Sequence, residues 1–207
     1  MKKCFIFGAL PTQRLLITPG KNDLIIAADK GVLSIQQLNL KPDLIVGDFD
    51  SLGYEPDFDN KIVLPIKKDL TDTAVAINYA LDNGYTEIFV YGAAEGKTDH
   101  FLANAALCAD VSRKGVKIVF FGENTHFTAV TDGTICFKKA TGRVSVFAFG
   151  GMALGVTLRG FEYELNDYEL DEYVPLGVSN CFKGEDSTIT VKNGTLIIMW
   201  EGDEKPQ

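Results

Sequence analysis

The feature that most constrains this chain is a change of hydrophobic rhythm at about residue 121. Before it, short apolar runs alternate with helical patterns; after it, segments alternate with period two and are punctuated by turn dipeptides. Alternating strand and helix patterns feed a parallel layered sheet, whereas successive short strands without a long helix between them build an antiparallel sandwich or barrel. The chain is therefore expected to form an α/β N-terminal domain with a mostly parallel sheet over residues 1–122, followed by an all-β C-terminal sandwich over 126–207. A length of 207 residues can hold two such small domains.

In the first half, Lys3–Phe7, Leu24–Ala28, Leu44–Val46, Ile62–Pro65, Glu87–Tyr91 and Lys117–Phe121 read as strands, several apolar on both faces as a covered parallel sheet requires. Helices are expected over Thr71–Leu81, with Val75, Ile77, Ala80 and Leu81 inward, and over Thr98–Lys114, with Phe101, Leu102, Ala105 and Cys108 inward. In the second half, Asp132-Gly133 between Phe127–Thr131 and Thr134–Phe137 reads as a β-hairpin turn. Asn193-Gly194 between Thr188–Val191 and Thr195–Trp200 reads the same way. Val144–Phe149 and Val156–Leu158 add two strands, and Gly202–Gln207 looks like a frayed polar tail.

Charge excludes some partners. The formal net charge of −8 opposes general attraction to nucleic acid or anionic membranes. No apolar run reaches the ~20 residues of a membrane span, and Cys4-Phe5-Ile6-Phe7 is too short for a signal peptide, so a cytoplasmic protein is expected. Cys4, Cys108, Cys136 and Cys181 are widely spaced and form no C-x-x-C pair, so they are expected to be reduced core residues.

Chemistry-bearing residues gather where strands are expected to end. The run Pro42-Asp43-Leu44-Ile45-Val46-Gly47-Asp48-Phe49-Asp50-Ser51 is an apolar strand closing on two carboxylates. In an extended backbone residues i and i+2 face the same way, so Asp48 and Asp50 are expected to converge at the carboxyl edge of the sheet, where open α/β folds bind ligands. Paired hard oxygen donors suit Mg²⁺, which takes one or two carboxylates plus substrate phosphates. Gly47 beside them would permit close approach to a ligand; two aspartates that merely open a turn are the plainer alternative. Asp29, after Leu24–Ala28, is a further carboxylate at a strand end.

Lys67-Lys68-Asp69-Leu70-Thr71-Asp72-Thr73 opens the next helix. Asp69 as N-cap with Asp72 three residues on would stabilise that helix without a ligand. Because the segment also follows a strand, Ile62–Pro65, it would lie along the same sheet edge as Asp48 and Asp50, with Lys67 or Lys68 against phosphate or, more plainly, as a solvated lysine pair. Tyr91-Gly92-Ala93-Ala94-Glu95-Gly96-Lys97-Thr98-Asp99-His100 is a glycine-punctuated strand-to-helix turn. A P-loop needs four residues between its glycine and Gly-Lys-[Ser/Thr]; here there are three, and the match fails. The free N–H groups of a helix start still make Gly96, Lys97 and Thr98 phosphate candidates, with Thr98 as a plain helix cap the alternative. His100 beside Asp99 is a candidate phosphate donor or a structural first-turn residue. In the β-rich half, Val178-Ser179-Asn180 and the lone Trp200 would wall a small organic ligand, or form a turn and a core indole.

In this order the segments resemble the thiamine pyrophosphokinase family. The likeness runs through Ala28-Asp29, the Pro42–Ser51 run, Lys68–Thr73, Asp99-His100-Phe101-Leu102-Ala103-Asn104, Gly155–Tyr163, Leu165-Asn166 and Val178-Ser179-Asn180, covering nearly the whole chain. The resemblance implies a nucleotide-binding catalytic α/β domain, a thiamine-binding and dimerising β-sandwich, a homodimer, and transfer of pyrophosphate from ATP to thiamine with Mg²⁺, giving thiamine diphosphate and AMP. It assigns the metal to Asp48, Asp50 and Asp72, and acceptance of the hydroxyl proton to Asp99 or Asp69. It puts Asp29, Lys68, Thr71, Gly96, Lys97, Thr98 and His100 on the nucleotide side, and Ser179, Asn180 and Trp200 on the thiamine side. Two features depart from the family. Lys30 stands where glycine is common, and Glu95-Gly96-Lys97-Thr98 replaces a Gly-Gly-Arg turn, so that Lys97 keeps a charge but not a bidentate fork. The alternatives are another Mg-dependent nucleotide kinase or nucleotidyl transferase, or a non-enzymatic thiamine or nucleotide sensor. A sensor is expected to have lost its acidic residues, yet Asp29, Asp48, Asp50, Asp72 and Asp99 are all present.

Overall fold

The apolar runs of the first half become the strands of a parallel sheet. The structure, a computed structural model, describes residues 2–50, 52–65 and 69–207. Strands β1 (Lys3–Phe7), β2 (Leu24–Ala28), β3 (Leu44–Gly47), β4 (Lys61–Val63), β5 (Glu87–Tyr91) and β6 (Lys117–Phe121) lie in the order β6-β5-β1-β2-β3-β4. Every pairing among them is parallel, with Phe5 opposite both Ile25 and Phe89. All but β4 are buried along almost their whole length, as a sheet covered on both faces demands. The edge strand β4 stops at Val63, before the expected Pro65, because proline has no N–H to extend a ladder.

This order places a topological switch between β1 and β5. The chain winds from β1 through β4 to one side, then returns to the other side of β1 with β5 and β6. Helix α1 (Gly31–Gln37), too short to show a periodic pattern in the sequence, buries Val32 and Ile35. Helix α2 (Asp72–Asp82) buries Ala74, Ala76, Ile77 and Ala80, leaving Val75 and Leu81 half-exposed. Helix α3 (Thr98–Arg113) buries Ala105, Cys108, Ala109 and Val111, whereas Leu102, expected inward, is 59% exposed.

The chain divides into two compact units, Met1–Asn104 with Val116–Glu123, and Ala105–Gly115 with Asn124–Gln207. The second unit therefore takes in the later turns of α3. It adds β7 (Thr125–Thr131), β8 (Thr134–Phe137), β9 (Arg143–Ala148), β10 (Ala153–Arg159), β11 (Leu165–Leu170), β12 (Asn180–Cys181), β13 (Ser187–Thr190) and β14 (Thr195–Glu201). These make two antiparallel layers, β12-β9-β14-β7 and β11-β10-β13-β8, whose inner faces meet where Phe137 of β8 lies 5.3 Å from Trp200 of β14.

Both expected hairpins are absent. The strand β7 pairs with β14 and β8 pairs with β13, so Asp132-Gly133 and Asn193-Gly194 each carry the chain from one layer to the other. A tight two-residue hairpin of the type favoured by these dipeptides needs positive φ at both central residues. Here only Asp132 (+48°) of the first pair and only Gly194 (+109°) of the second adopt it. The two arches instead bond to each other: the Asp132 N–H donates to Gly194 O, and the Gly194 N–H donates to Asp132 Oδ1.

The C-terminal tail is held as well. Gln207 and Cys136 exchange backbone hydrogen bonds of 2.9 and 3.2 Å, contrary to the expectation of fraying. Two cysteines also depart from the core assignment, Cys136 being half-buried and Cys181 exposed.

Candidate functional site

The carboxylates cluster at the carboxyl ends of β2 and β3, neighbours in the sheet. Asp29 takes φ +53° as its N–H donates to Val46 O at 2.8 Å, so the β2 end turns sharply beside β3. Beyond β3 the expected alternation fails. Phe49 sits at φ +58°, a costly conformation for a bulky residue, and this breaks the i, i+2 correspondence between Asp48 and Asp50. Its ring is buried and folds back over Gly47, where an added Cβ would meet ring carbons at 3.2–3.3 Å. The close approach Gly47 permits is thus one by its own chain. The Asp50 N–H donates to Asp48 Oδ1 at 3.3 Å, leaving Asp48 half-buried and Asp50 exposed. A turn, rather than strand pleating, sets this pair.

At the start of α2 the cap is Thr71, whose Oγ1 accepts the Ala74 N–H at 3.2 Å. That replaces the expected Asp69 cap. Asp69 lies outside the helix and is exposed, while Asp72 is the first helical residue and half-buried. Lys67 and Lys68 lie outside the described residues. Among the described residues no group of three or more His, Cys, Asp or Glu side chains stands close enough to hold a metal ion, so Asp48, Asp50 and Asp72 do not form a closed cage. Their chemistry still fits Mg²⁺: all are hard oxygen donors with access to water, and Mg²⁺ is ordinarily held by one or two carboxylates together with phosphates and water.

The glycine turn after β5 meets the loop after β1. Gly8 and Leu10 donate their N–H groups to Tyr91 O and Gly92 O at 2.7 and 3.0 Å. Gly92 has φ +67°, and a Cβ there would lie 2.3 Å from Leu10 O, so only glycine fits. Lys97 O accepts the Phe101 N–H, which makes Lys97 the capping position and Thr98 the first helical residue. Asp99 Oδ1 accepts the His100 N–H at 2.8 Å. Gly96, Lys97, Thr98, Asp99 and His100 are all exposed. Behind them, buried Asn104 donates to Ala93 O at 2.8 Å and ties α3 to the turn.

Between these loops opens a cleft of about 620 Å³, walled by Leu10–Arg14, Tyr91–Gly96 and Phe121–Glu123. It sits over the carboxyl ends of β1, β5 and β6, at the switch point where open α/β sheets bind ligands. Of the residues singled out in the sequence, Gly96 lies in its wall; Asp29, Asp48, Asp50, Asp69, Asp72, Lys97, Thr98, Asp99 and His100 lie outside it. The β1 loop with Arg14 and Glu123 were not singled out, and Tyr91 only as the start of the glycine turn. Their signal was topological: the β1 loop, Gly8–Asp23, is long and without helical pattern, but only the placement of β5 beside β1 makes it a wall.

In the second unit Ser179 is exposed at φ +58°, its N–H donating to Ser145 Oγ at 3.0 Å. Asn180 is 4% exposed and fully engaged. Its Oδ1 accepts the N–H groups of Tyr163 and Cys181, and its Nδ2 donates to Tyr163 O at 2.7 Å. Trp200, 1% exposed, packs against Phe137 and His126 and donates from Nε1 to Glu204 O at 2.9 Å. Its indole is a core group of this unit, not an open wall, and the tail that satisfies its N–H explains why that tail is ordered.

Comparison with known proteins matches residues 18–120 to the model of the thiamin pyrophosphokinase catalytic domain and residues 134–197 to that of the thiamin pyrophosphokinase vitamin B1 binding domain. The thiamine pyrophosphokinase of Bacillus subtilis is 26% identical over 191 residues, covering 88% of this chain and 89% of that protein. The crystal structure of thiamine pyrophosphokinase from Bacillus subtilis superposes with a TM-score of 0.83 at 24% identity, covering 97% of this chain and 99% of that one. The Candida albicans thiamin pyrophosphokinase superposes at 0.74 with 17% identity, covering 97% and 89%.

Proposed function

The chain belongs to the thiamin pyrophosphokinase family, and on that premise we propose that it transfers the pyrophosphoryl group of ATP to the hydroxyl of thiamine, giving thiamine diphosphate and AMP. The observation that carries this reading is the cleft at the β1–β5 switch point, on the same carboxyl edge as Asp29, Asp48 and Asp50. A nucleotide seated there has its phosphates within a field of backbone N–H groups from the glycine turn and the start of α3. The carboxylates beside it suit the metal that accompanies such phosphates.

In this reading Asp48, Asp50 and Asp72 hold Mg²⁺, which when bound neutralises phosphate oxygens. The chain's own residues position and orient. Asp29, Lys68, Thr71, Gly96, Lys97, Thr98 and His100 flank the nucleotide, and Asp99 or Asp69 takes the hydroxyl proton. The thiamine oxygen forms a bond to the β-phosphorus as the bond from that phosphorus to the bridging α-phosphate oxygen breaks, and AMP leaves with that oxygen. Catalysis is then mainly alignment and charge stabilisation. Thiamine is a cation, and a chain of net charge −8 favours its arrival.

The second unit takes thiamine recognition, with exposed Ser179 as a contact and buried Asn180 and Trp200 as its supports. The unit also exposes the large side chains of Tyr163, Tyr168, Tyr173, Val174, Leu176 and Val178, which a second copy in a homodimer would cover. Four free cysteines suit a reducing cytoplasm, and among the described residues no helix is long and apolar enough to cross a membrane.

One experiment tests the assignment: incubation with ATP, Mg²⁺ and thiamine, product identification by mass, and sedimentation of the same sample. AMP and thiamine diphosphate should form in equal amounts from a species of twice 22.6 kDa. ADP with thiamine monophosphate would favour an ordinary kinase, and an active monomer would remove the dimer.

A further inference from the structure

The β1 loop, Gly8–Asp23, is irregular throughout, yet it walls the cleft. Two distant side chains hold it. The Tyr91 hydroxyl accepts the Ile17 N–H at 2.9 Å and donates to Ile17 O at 3.0 Å, so one phenol satisfies both backbone groups of a residue 74 positions away. The Tyr91 ring is 2% exposed, stacked 5.0 Å from Phe121 and 5.6 Å from Phe7, so the hydroxyl is presented from a rigid base. The second pin is Ser34 of α1, whose buried Oγ accepts the Thr12 N–H at 3.0 Å. Between the pins lies the segment Gln13–Leu16, and Gln13 and Arg14 of it face the cleft. The family's catalytic-domain match begins at residue 18, after this segment.

We propose that Tyr91 and Ser34 are positioning residues that pre-order the β1 loop and thereby set the affinity of the cleft for its nucleotide. The inference rests on the reading that ATP occupies the cleft. A loop already ordered loses little freedom when a ligand binds, whereas an unpinned one must be ordered at that moment, which weakens binding and leaves the bound geometry unchanged. The burden of losing a pin therefore falls on affinity and not on the rate of the bound complex.

The test compares wild type, Tyr91→Phe and Ser34→Ala. Tyr91→Phe keeps the stacked ring and deletes only the hydroxyl, and Ser34→Ala is an independent lesion on another element. In the ligand-free protein, amide exchange across residues 10–17 should speed up on the order of tenfold in each variant. The Kd of a non-hydrolysable ATP analogue and the KM for ATP should rise on the order of tenfold, while kcat and the KM for thiamine stay within about twofold. Unchanged exchange, or faster exchange with unchanged analogue affinity, would overturn the inference while the assignment of the cleft survives. A fall in kcat at unchanged affinity would overturn it too. A wild type that binds no ATP analogue would remove the assignment of the cleft and this inference together.

Discussion

Two stretches of one sheet edge are built in opposite ways. At the β2–β3 end, Asp29 is fixed by a backbone bond to Val46 of the next strand, and Asp48 and Asp50 stand on a short turn closed locally from the Asp50 N–H to Asp48 Oδ1. At the β1–β5 end, a cleft is shaped by loops that reach across the fold, pinned by Tyr91, Ser34 and Asn104. The first stretch supplies charge and keeps it wet; the second supplies shape. In the proposed reading such charge tolerates an incomplete protein cage, because water and phosphate would complete the Mg²⁺ octahedron. A cavity wall is not tolerant, because its order depends on a few directional bonds.

The largest effect should come from breaking the charged stretch. Asp48→Asn or Asp50→Asn should lower turnover at least ~100-fold, corresponding to ~2.7–4 kcal/mol of lost charge stabilisation. Circular dichroism and melting should be unchanged, and the cleft should still bind a nucleotide analogue without metal. Near-normal rates in both variants would mean that the two stretches do not divide the work in this way.

A smaller effect is expected from the shaped stretch. Gly92→Ala forces a side chain into positive φ and against Leu10 O, so stability to urea should fall by ~1–3 kcal/mol. Nucleotide affinity should fall with it. A variant as stable as wild type would show that the two loops are less tightly apposed than their 2.7–3.0 Å hydrogen bonds imply.

The same contrast explains what could be read in the sequence. Lys3–Phe7, Leu24–Ala28, Glu87–Tyr91 and Lys117–Phe121 are strands residue for residue as expected, because runs apolar on both faces have few other fates in an α/β chain. Helix α1 was missed since its seven residues are too few to reveal a period. The dipeptides Asp132-Gly133 and Asn193-Gly194 misled because a hairpin and an arch between layers look alike locally, and only long-range pairing of β7 with β14 decides. Strand β11 was missed because Leu165–Leu170 reads polar, with four of its six residues exposed. At the site, carboxylates at strand ends are visible as local motifs, but Phe49 in a left-handed conformation is not. The cleft could not be seen without knowing that β5 returns beside β1.

The smallest effect isolates the clasp itself. Burial pushes the Tyr91 phenol up to about 12, only partly opposed by its backbone hydrogen bonds, so the folded state retains a proton that the unfolded chain releases near pH 10. The folded pKa is the higher one; the stabilisation it represents is therefore constant below about pH 10 and is lost as pH rises from 10 toward 12. Between pH 9 and pH 11 wild type should lose about 1.4 kcal/mol from this group alone. Tyr91→Phe lacks the titrating hydroxyl but shares every other tyrosine, lysine and cysteine, so their contributions cancel in the difference. Urea denaturation of both proteins at pH 9 and pH 11 should show the stability gap between them narrowing by that amount. A gap that stays constant would mean the phenol is not shut away from water. The β1 loop would then be as loosely held as the carboxylate turns beside it.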